Sequence, residues 1–166
     1  QQLRAVAFAK ATNQRVLWIV ARDWPIATGS EVLSAQRIET LRNNFLHLHD
    51  KKTAGIMSLF LAVLNLPVRL AQTENAEVGA VKNAWGVLAG WTLHDDEDAR
   101  LQGMSDEEVV LEQRPLQLLI KLKAATNKLG NKYSEGIYIY CMKPQMRQWS
   151  RDTAGFAEVR RIGFAL

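Results

Sequence analysis

The chain has 166 residues, of which 48% are hydrophobic and 23% charged, so it has the length to bury one sizeable core and the wrong composition for disorder. Its longest apolar run, residues 56–64, falls far short of the roughly 20 residues that a membrane-spanning helix needs, which excludes a membrane span. The one cysteine, Cys141, excludes an internal disulfide and a multi-cysteine zinc site.

The formal net charge of +4 is distributed unevenly. Residues 1–50 carry 6 basic and 4 acidic side chains, residues 51–114 carry 6 and 10, and residues 115–166 carry 9 and 3, which gives local charges of +2, −4 and +6. The basic last third is compatible with a surface that faces phosphates, because Lys and Arg supply the sequence-independent part of nucleic-acid affinity. An ordinary solvated surface explains the same asymmetry.

The first part of the chain alternates helix and strand signals. Residues 2–12 are rich in alanine, which favours a helix, and residues 15–21 form the β-branched and aromatic run expected of a buried strand. Residues 23–25 are expected to end this strand, because proline cannot donate to a β ladder. Ser30 is a suitable N-cap for a second helix. The apolar face of that helix comprises Ile38, Leu41, Phe45 and Leu48.

The central part of the chain contains the clearest turn signals. Residues 53–64 are apolar with an internal glycine, which favours a turn or a short helix. Two short strands are predicted at 68–70 and 87–93. A polar loop that includes Lys82 and Asn83 joins them.

The second half of the chain is rich in strand patterns. Residues 94–114 are strongly acidic and are interpreted as a surface insert with one short helix, which begins after the capping box at 105–108. Residues 116–122 and 137–142 alternate with period two, and a last strand is predicted over 159–166. The succession indicates an α/β core that carries an antiparallel β subdomain.

Several of these stretches resemble one protein family. Residues 66–93, LPVRLAQTENAEVGAVKNAWGVLAGWTL, resemble a segment of the Pif-type and RecD-like DNA helicases of superfamily 1. The preceding residues 48–70, the strand PLQLLIKL, and GIYIYCMKP followed by VRRIGFAL resemble further motifs of the family in the right order. Each motif is weak alone, and their collinear order carries the resemblance.

The resemblance implies an α/β fold in which a partial RecA-like motor domain carries an inserted small antiparallel β-barrel. Residues 1–65 would belong to the RecA-like second motor domain, and residues 66–166 to a strand-rich region with the barrel-like insertion and the acidic surface insert 94–114. The chain would be an internal fragment of an ATP-dependent DNA helicase of a divergent, protist-like subset. Such a protein would be intracellular, in the nucleus or mitochondrion of a eukaryote, and would act in DNA repair, recombination or telomere maintenance.

The chain itself lacks the nucleotide-binding motifs of a helicase. It contains no GxxxxGK[ST] phosphate loop and no acidic pair for Mg²⁺. No catalytic residue, metal site or cofactor is therefore predicted within it, and the chain alone is not expected to hydrolyse ATP. ATP and Mg²⁺ are implied for the parent protein, which is expected to encode a phosphate loop upstream of residue 1 and a coupling motif after Leu166.

Single-stranded DNA is the predicted partner, together with the remainder of the helicase chain. Trp85, beside Lys82, is a candidate for base stacking, with packing under the barrel as the alternative. The other predicted nucleic-acid contacts are Arg69, Asn83, Lys121, Lys123, Arg160 and Arg161. Cys141 is expected to be a small buried residue of a strand.

Other functions remain open. The chain also fits a stand-alone nucleic-acid-binding module or a protein-interaction β module that uses the acidic insert. Two departures from the family pattern, Ala84 where a glycine is usual and Ala165 where a proline is usual, are compatible with a decayed helicase copy.

Overall fold

A computed structural model describes residues 2–27, 34–49, 52–77, 79–123, 132–134, 137–149 and 156–166. The helices within these ranges are α1 (Gln2–Thr12), α2 (Ala35–Leu46) and α3 (Asp95–Gln102). The strands are β1 (Val16–Val20), β2 (Arg22–Ala27), β3 (Leu59–Ala62), β4 (Pro67–Arg69), β5 (Trp85–Thr92), β6 (Glu108–Val110), β7 (Gln117–Lys123), β8 (Lys132–Ser134), β9 (Ile137–Met142), β10 (Gln145–Trp149) and β11 (Phe156–Gly163). None of the described helices is long and apolar enough to cross a membrane.

The strands form three sheets, so the fold is mixed α/β with few helices. The sheets have the orders β3-β1-β6, β10-β11-β2 and β4-β5-β7-β9-β8. Two sheets join strands that are distant in sequence, since β6 pairs in parallel with β1 and β11 pairs antiparallel with β2. The predicted acidic insert and the C-terminal strand therefore both pair with the first 30 residues of the chain.

The main core lies between the β3-β1-β6 sheet and the five-stranded sheet. Alternate residues of the central strands are buried in it, as period-two patterning requires. The residues that contribute to this core from the two sheets include Leu17, Ile19, Phe60, Leu88, Leu118, Ile120 and Leu122. Ala5 and Ala9 of α1 pack with Leu61 in a second cluster, and Phe45 of α2 packs with Trp149 in a third.

Helix α1 and strand β1 lie where the sequence predicts them, but the strand does not end at residues 23–25. A second strand, β2, begins at Arg22 and contains Pro25. Proline is tolerated because β2 is the edge strand of its sheet, where β11 is its one partner among the described strands. Helix α2 has Ser34 as its N-cap, whose hydroxyl accepts from the backbone N–H of Arg37 at 3.3 Å. The predicted cap Ser30 lies outside the described residues.

Two further predictions are wrong in part. Residues 53–55 form the predicted turn, but Leu59–Ala62 of the same stretch forms strand β3, which pairs antiparallel with β1. The short helix of the insert is α3, which precedes the capping-box sequence, and the residues after that sequence form β6. Local propensity did not reveal either strand, since both depend on a partner strand that is distant in sequence.

The insert is also less solvated than its composition predicts. Glu97 is 2% exposed, and its carboxylate accepts from Arg100 at 2.5 Å and from the backbone N–H groups of Glu112 and Gln113 at 3.1 and 3.3 Å. Burial favours the neutral acid, but these hydrogen bonds together outweigh it and lower the pKa of Glu97. The carboxylate of Glu97 therefore holds helix α3 against residues 112 and 113 within the acidic insert itself.

Candidate nucleic-acid interface

Among the aromatic side chains of the five-stranded sheet that the structure describes, the most exposed lies beside an arginine. Arg69 of β4 pairs directly with Trp85 of β5, so both side chains stand on one face of the sheet. The Arg69 guanidinium carbon lies 5.7 Å from the centroid of the Trp85 ring, within the range of a cation–π contact. Trp85 is 63% exposed. We call the face that carries Arg69, Trp85, Val87 and Lys121 the outer sheet face.

Strand alternation explains why this face is open. Val68 and Leu88, which neighbour the exposed positions in sequence, are buried in the main core. Gly86 lets β5 approach β7 closely, because a Cβ atom at this position would lie 2.7 Å from the carbonyl oxygen of Lys121. A larger residue at position 86 would therefore push β5 away from β7 next to Trp85.

The loop before β5 is closed by backbone hydrogen bonds. The N–H of Asn83 donates to the carbonyl of Leu70 at 2.8 Å, and the N–H of Leu70 donates to Ala84 at 3.0 Å. Asn83 has a φ of 69°, a left-handed conformation that asparagine adopts more readily than most residues. The positive φ therefore falls on Asn83, and Ala84 at the family's usual glycine position is not strained. Lys82 and Asn83 are both exposed next to Trp85.

A cluster of polar side chains holds the other end of this loop. Gln72 donates to Glu74 at 2.8 Å, and both contact Gln145 of β10. Arg147 donates to Gln72 at 2.5 Å, and the Tyr140 hydroxyl lies 3.5 Å from Glu74. Burial and the charge of Glu74 raise the pKa of Tyr140 to about 12. The loop that carries Lys82 and Asn83 is thereby tied to β9 and β10.

Two predicted lysines lie on β7. Lys121 is half-buried and pairs with Val87 on one side and Ile139 on the other, which places it on the same face as Arg69 and Trp85. The backbone of Lys123 pairs with Ile137, and its side chain lies outside the described residues. Cys141, predicted to be buried, is exposed, because it pairs with Leu119 on the face opposite the core residues of β9.

The prediction that Arg161 contacts DNA is wrong, because its side chain is completely buried. Its guanidinium donates to the two carboxylate oxygens of Asp23 at 2.6 and 2.7 Å and to the carbonyl of Phe45 at 3.0 Å. Arg160 has the opposite environment. It is exposed on β11, where its backbone pairs with Trp24 of β2 and Gln148 of β10. This sheet is not the five-stranded sheet that carries Arg69, Trp85, Lys121 and Lys123.

Two residues near Arg160 were missed by the sequence interpretation. The Arg22 guanidinium carbon lies 5.9 Å from the centroid of the Trp24 ring, and both residues belong to β2. Residues two positions apart on a strand share a face, so Arg22 and Trp24 carried a signal, but Pro25 hid the strand on which they lie.

The outer sheet face combines a flat aromatic surface with cations. This combination suits a single strand of nucleic acid, because bases stack on indole rings and Lys and Arg contact phosphates. Within the described ranges, no group of three or more His, Cys, Asp or Glu residues is placed to hold a metal ion.

The fold is similar to part of a known helicase. It superposes on the crystal structure of Pif1 helicase from Candida albicans with a TM-score of 0.51 and 15% sequence identity. The match covers 99% of this chain and 31% of that one, so the chain spans about a third of that helicase. No family model matches the sequence, and no curated protein matches it either. At this identity the likeness concerns the fold, and the resemblance noted in the sequence is supported at that level.

Proposed function

We propose that this chain is part of an ATP-dependent DNA helicase and that it holds single-stranded DNA on the outer sheet face. The observation that carries the proposal is the exposed Trp85 ring with Arg69 beside it, in a helicase-like fold. The proposal includes a RecA-like motor domain with an inserted β-barrel. It assigns ATP and Mg²⁺ to the remainder of the helicase, which would be the second partner of this chain.

Each residue of the surface has a distinct role in the proposal. Trp85 stacks on a base, and Arg69 and Lys82 contact the flanking phosphates. Asn83 offers an amide to a base or a sugar. Lys121 contacts the backbone further along the face. Lys123 and Arg160 are retained as additional phosphate contacts.

Fluorescence anisotropy with a labelled oligo-dT tests the proposal on the 166-residue chain. Trp85→Ala is expected to weaken binding by about 1–3 kcal/mol, or roughly 5- to 150-fold, without changing the salt dependence, because stacking releases no counterions. Arg69→Gln is expected to reduce the slope of log K against log salt by about 0.7, the value for one phosphate of a single strand.

The matched control for Trp85→Ala is Leu3→Ala, which removes an exposed apolar side chain from α1. It is expected to bind oligo-dT as the wild type does. Unchanged affinity in both Trp85→Ala and Arg69→Gln would remove the DNA surface from the outer sheet face. Sequencing of the gene upstream of residue 1 distinguishes a helicase from a stand-alone module. A phosphate loop is expected there for a helicase, because a motor domain needs one to bind ATP.

A further inference from the structure

A cavity of about 1020 Å³ has none of the residues of the outer sheet face in its lining. It is bounded by the junction of β1 and β2, by α2, by residues 111–116 and by β10. Its charged lining residues are Arg22, Asp23, Glu39, Arg42, Glu112 and Arg114.

The carboxylates of this lining are already paired with cations. Asp23 is bound by the buried Arg161, which lies outside the lining. Glu39 lies 3.6 Å from Arg42. Glu112 lies 3.8 Å from Arg100, which also lies outside the lining. Among the described lining residues, this leaves Arg22 and Arg114 as cations without a carboxylate partner.

Arg114 is unusual for a cation next to a cavity. Its Nε is buried and has no hydrogen-bond partner in the described part of the chain. A buried guanidinium donor without an acceptor is unfavourable. Burial and the nearby positive charge of Arg22 lower the pKa of Arg114. An anion beside the two guanidinium groups supplies an acceptor for the buried donor and offsets the repulsion between the two positive charges.

The backbone around Arg114 is held in place before any ligand binds. The N–H groups of Glu112 and Gln113 donate to the buried carboxylate of Glu97. On the other side, the N–H of Leu116 donates to the carbonyl of Thr92 at 2.8 Å. Arg22 is held by its contact with the Trp24 ring. Such preorganisation lowers the entropy cost of binding.

We propose that this cleft binds an oxyanion of the phosphate class between the guanidinium groups of Arg22 and Arg114. The planar fork of arginine matches the tetrahedral oxygens of a phosphate, with which it forms paired, charge-assisted hydrogen bonds. The phosphate comes either from free phosphate or from the backbone of a DNA strand. The proposal stands on the cleft and does not require binding at the outer sheet face.

Isothermal titration with sodium phosphate, at an ionic strength held constant with sodium chloride, tests this proposal. The wild-type chain is expected to bind phosphate saturably. Arg114→Gln and Arg22→Gln are each expected to weaken binding by about tenfold or more, because each removes charge-assisted hydrogen bonds. Arg4→Gln, which removes an exposed arginine from α1, is the matched control and is expected to bind as the wild type does.

Competition with oligo-dT distinguishes the two sources of phosphate. If phosphate displaces the oligonucleotide and Arg114→Gln reduces its salt slope by about 0.7, the bound group is a backbone phosphate. If phosphate does not displace the oligonucleotide and Arg114→Gln does not change its salt slope, the bound group is free phosphate. Phosphate binding by the Trp85→Ala chain separates this cleft from the DNA surface. The affinity for phosphate is expected to be unchanged in that variant.

Absence of saturable binding overturns the proposal, as does equal affinity in the wild type, Arg114→Gln and Arg22→Gln. If Arg114→Gln does not fold, as judged by circular dichroism, the exposed Arg22 still gives a test on its own.

Discussion

Two of the contacts between an arginine and a tryptophan ring in this chain have nearly the same distance but opposite surroundings. Arg161 lies 5.9 Å from the Trp149 ring and Arg69 lies 5.7 Å from the Trp85 ring. The first pair is buried and its arginine is bound to Asp23, whereas the second pair is exposed on the sheet surface. The contact between cation and ring does not distinguish a structural role from a binding role. Burial and a carboxylate partner for the arginine distinguish the two roles.

The two pairs also differ in what their loss should affect. The buried pair connects four elements, because Arg161 lies on β11 and donates to Asp23 of β2 and Phe45 of α2, and Trp149 belongs to β10. The exposed pair connects only two neighbouring strands. Changes at the first site should therefore alter stability, and changes at the second should alter ligand affinity.

The largest expected effect follows from Asp23→Ala. This change leaves the buried Arg161 charge without its carboxylate, which costs about 3–5 kcal/mol of the free energy of unfolding. Urea unfolding measures the loss. The control Glu39→Ala breaks an exposed pair with Arg42 and is expected to cost less than about 1 kcal/mol. Equal losses for the two variants would contradict a structural role for Arg161.

The next effect separates the two tryptophans directly. Trp149→Ala removes a ring that packs edge to face on Phe45 at 5.2 Å, and is expected to cost about 2–3 kcal/mol. The loss is below that of many buried tryptophans, because the buried Nε1 of Trp149 has no partner within the described residues. Trp85→Ala is expected to change the free energy of unfolding by less than about 0.5 kcal/mol. A large loss of stability in Trp85→Ala would make its ring structural.

The smallest expected effect concerns the pH dependence of stability that the buried carboxylate of Glu97 produces. Because the pKa of Glu97 is lowered in the folded state, its contribution to stability is present above its ordinary pKa of 4.5 and is lost as pH falls through the folded value. Glu97→Gln is expected to show a weaker loss of stability than the wild type as the pH falls below 4.5, measured by urea unfolding. Asp96→Asn removes an exposed charge from the same helix and is the control.

Apolar runs and period-two patterning predicted β4, most of β5, β7 and β9 of the five-stranded sheet. Trp85 was expected in the loop and instead begins β5, where it pairs with Arg69, and β8 was not predicted. Alternation also requires Arg160 and Arg161 to face opposite ways, but the sequence does not indicate which of them is inside. That choice depends on Asp23, which is 138 residues away. Strands β2, β3 and β6 were missed for the same reason, since their partner strands and not their own propensities define them.

The pairing of β2 with β11 also determines when this fold can be completed. Asp23 leaves the ribosome long before Arg161 does, and the two are separated by 138 residues. At a synthesis rate of about 5–20 residues per second, Arg161 and β11 are made roughly 7–28 s after Asp23 and β2. During that interval β2 has unpaired backbone groups and is open to pairing with other chains. Pro25, which removes one donor from this edge, makes such mispairing less favourable while synthesis continues.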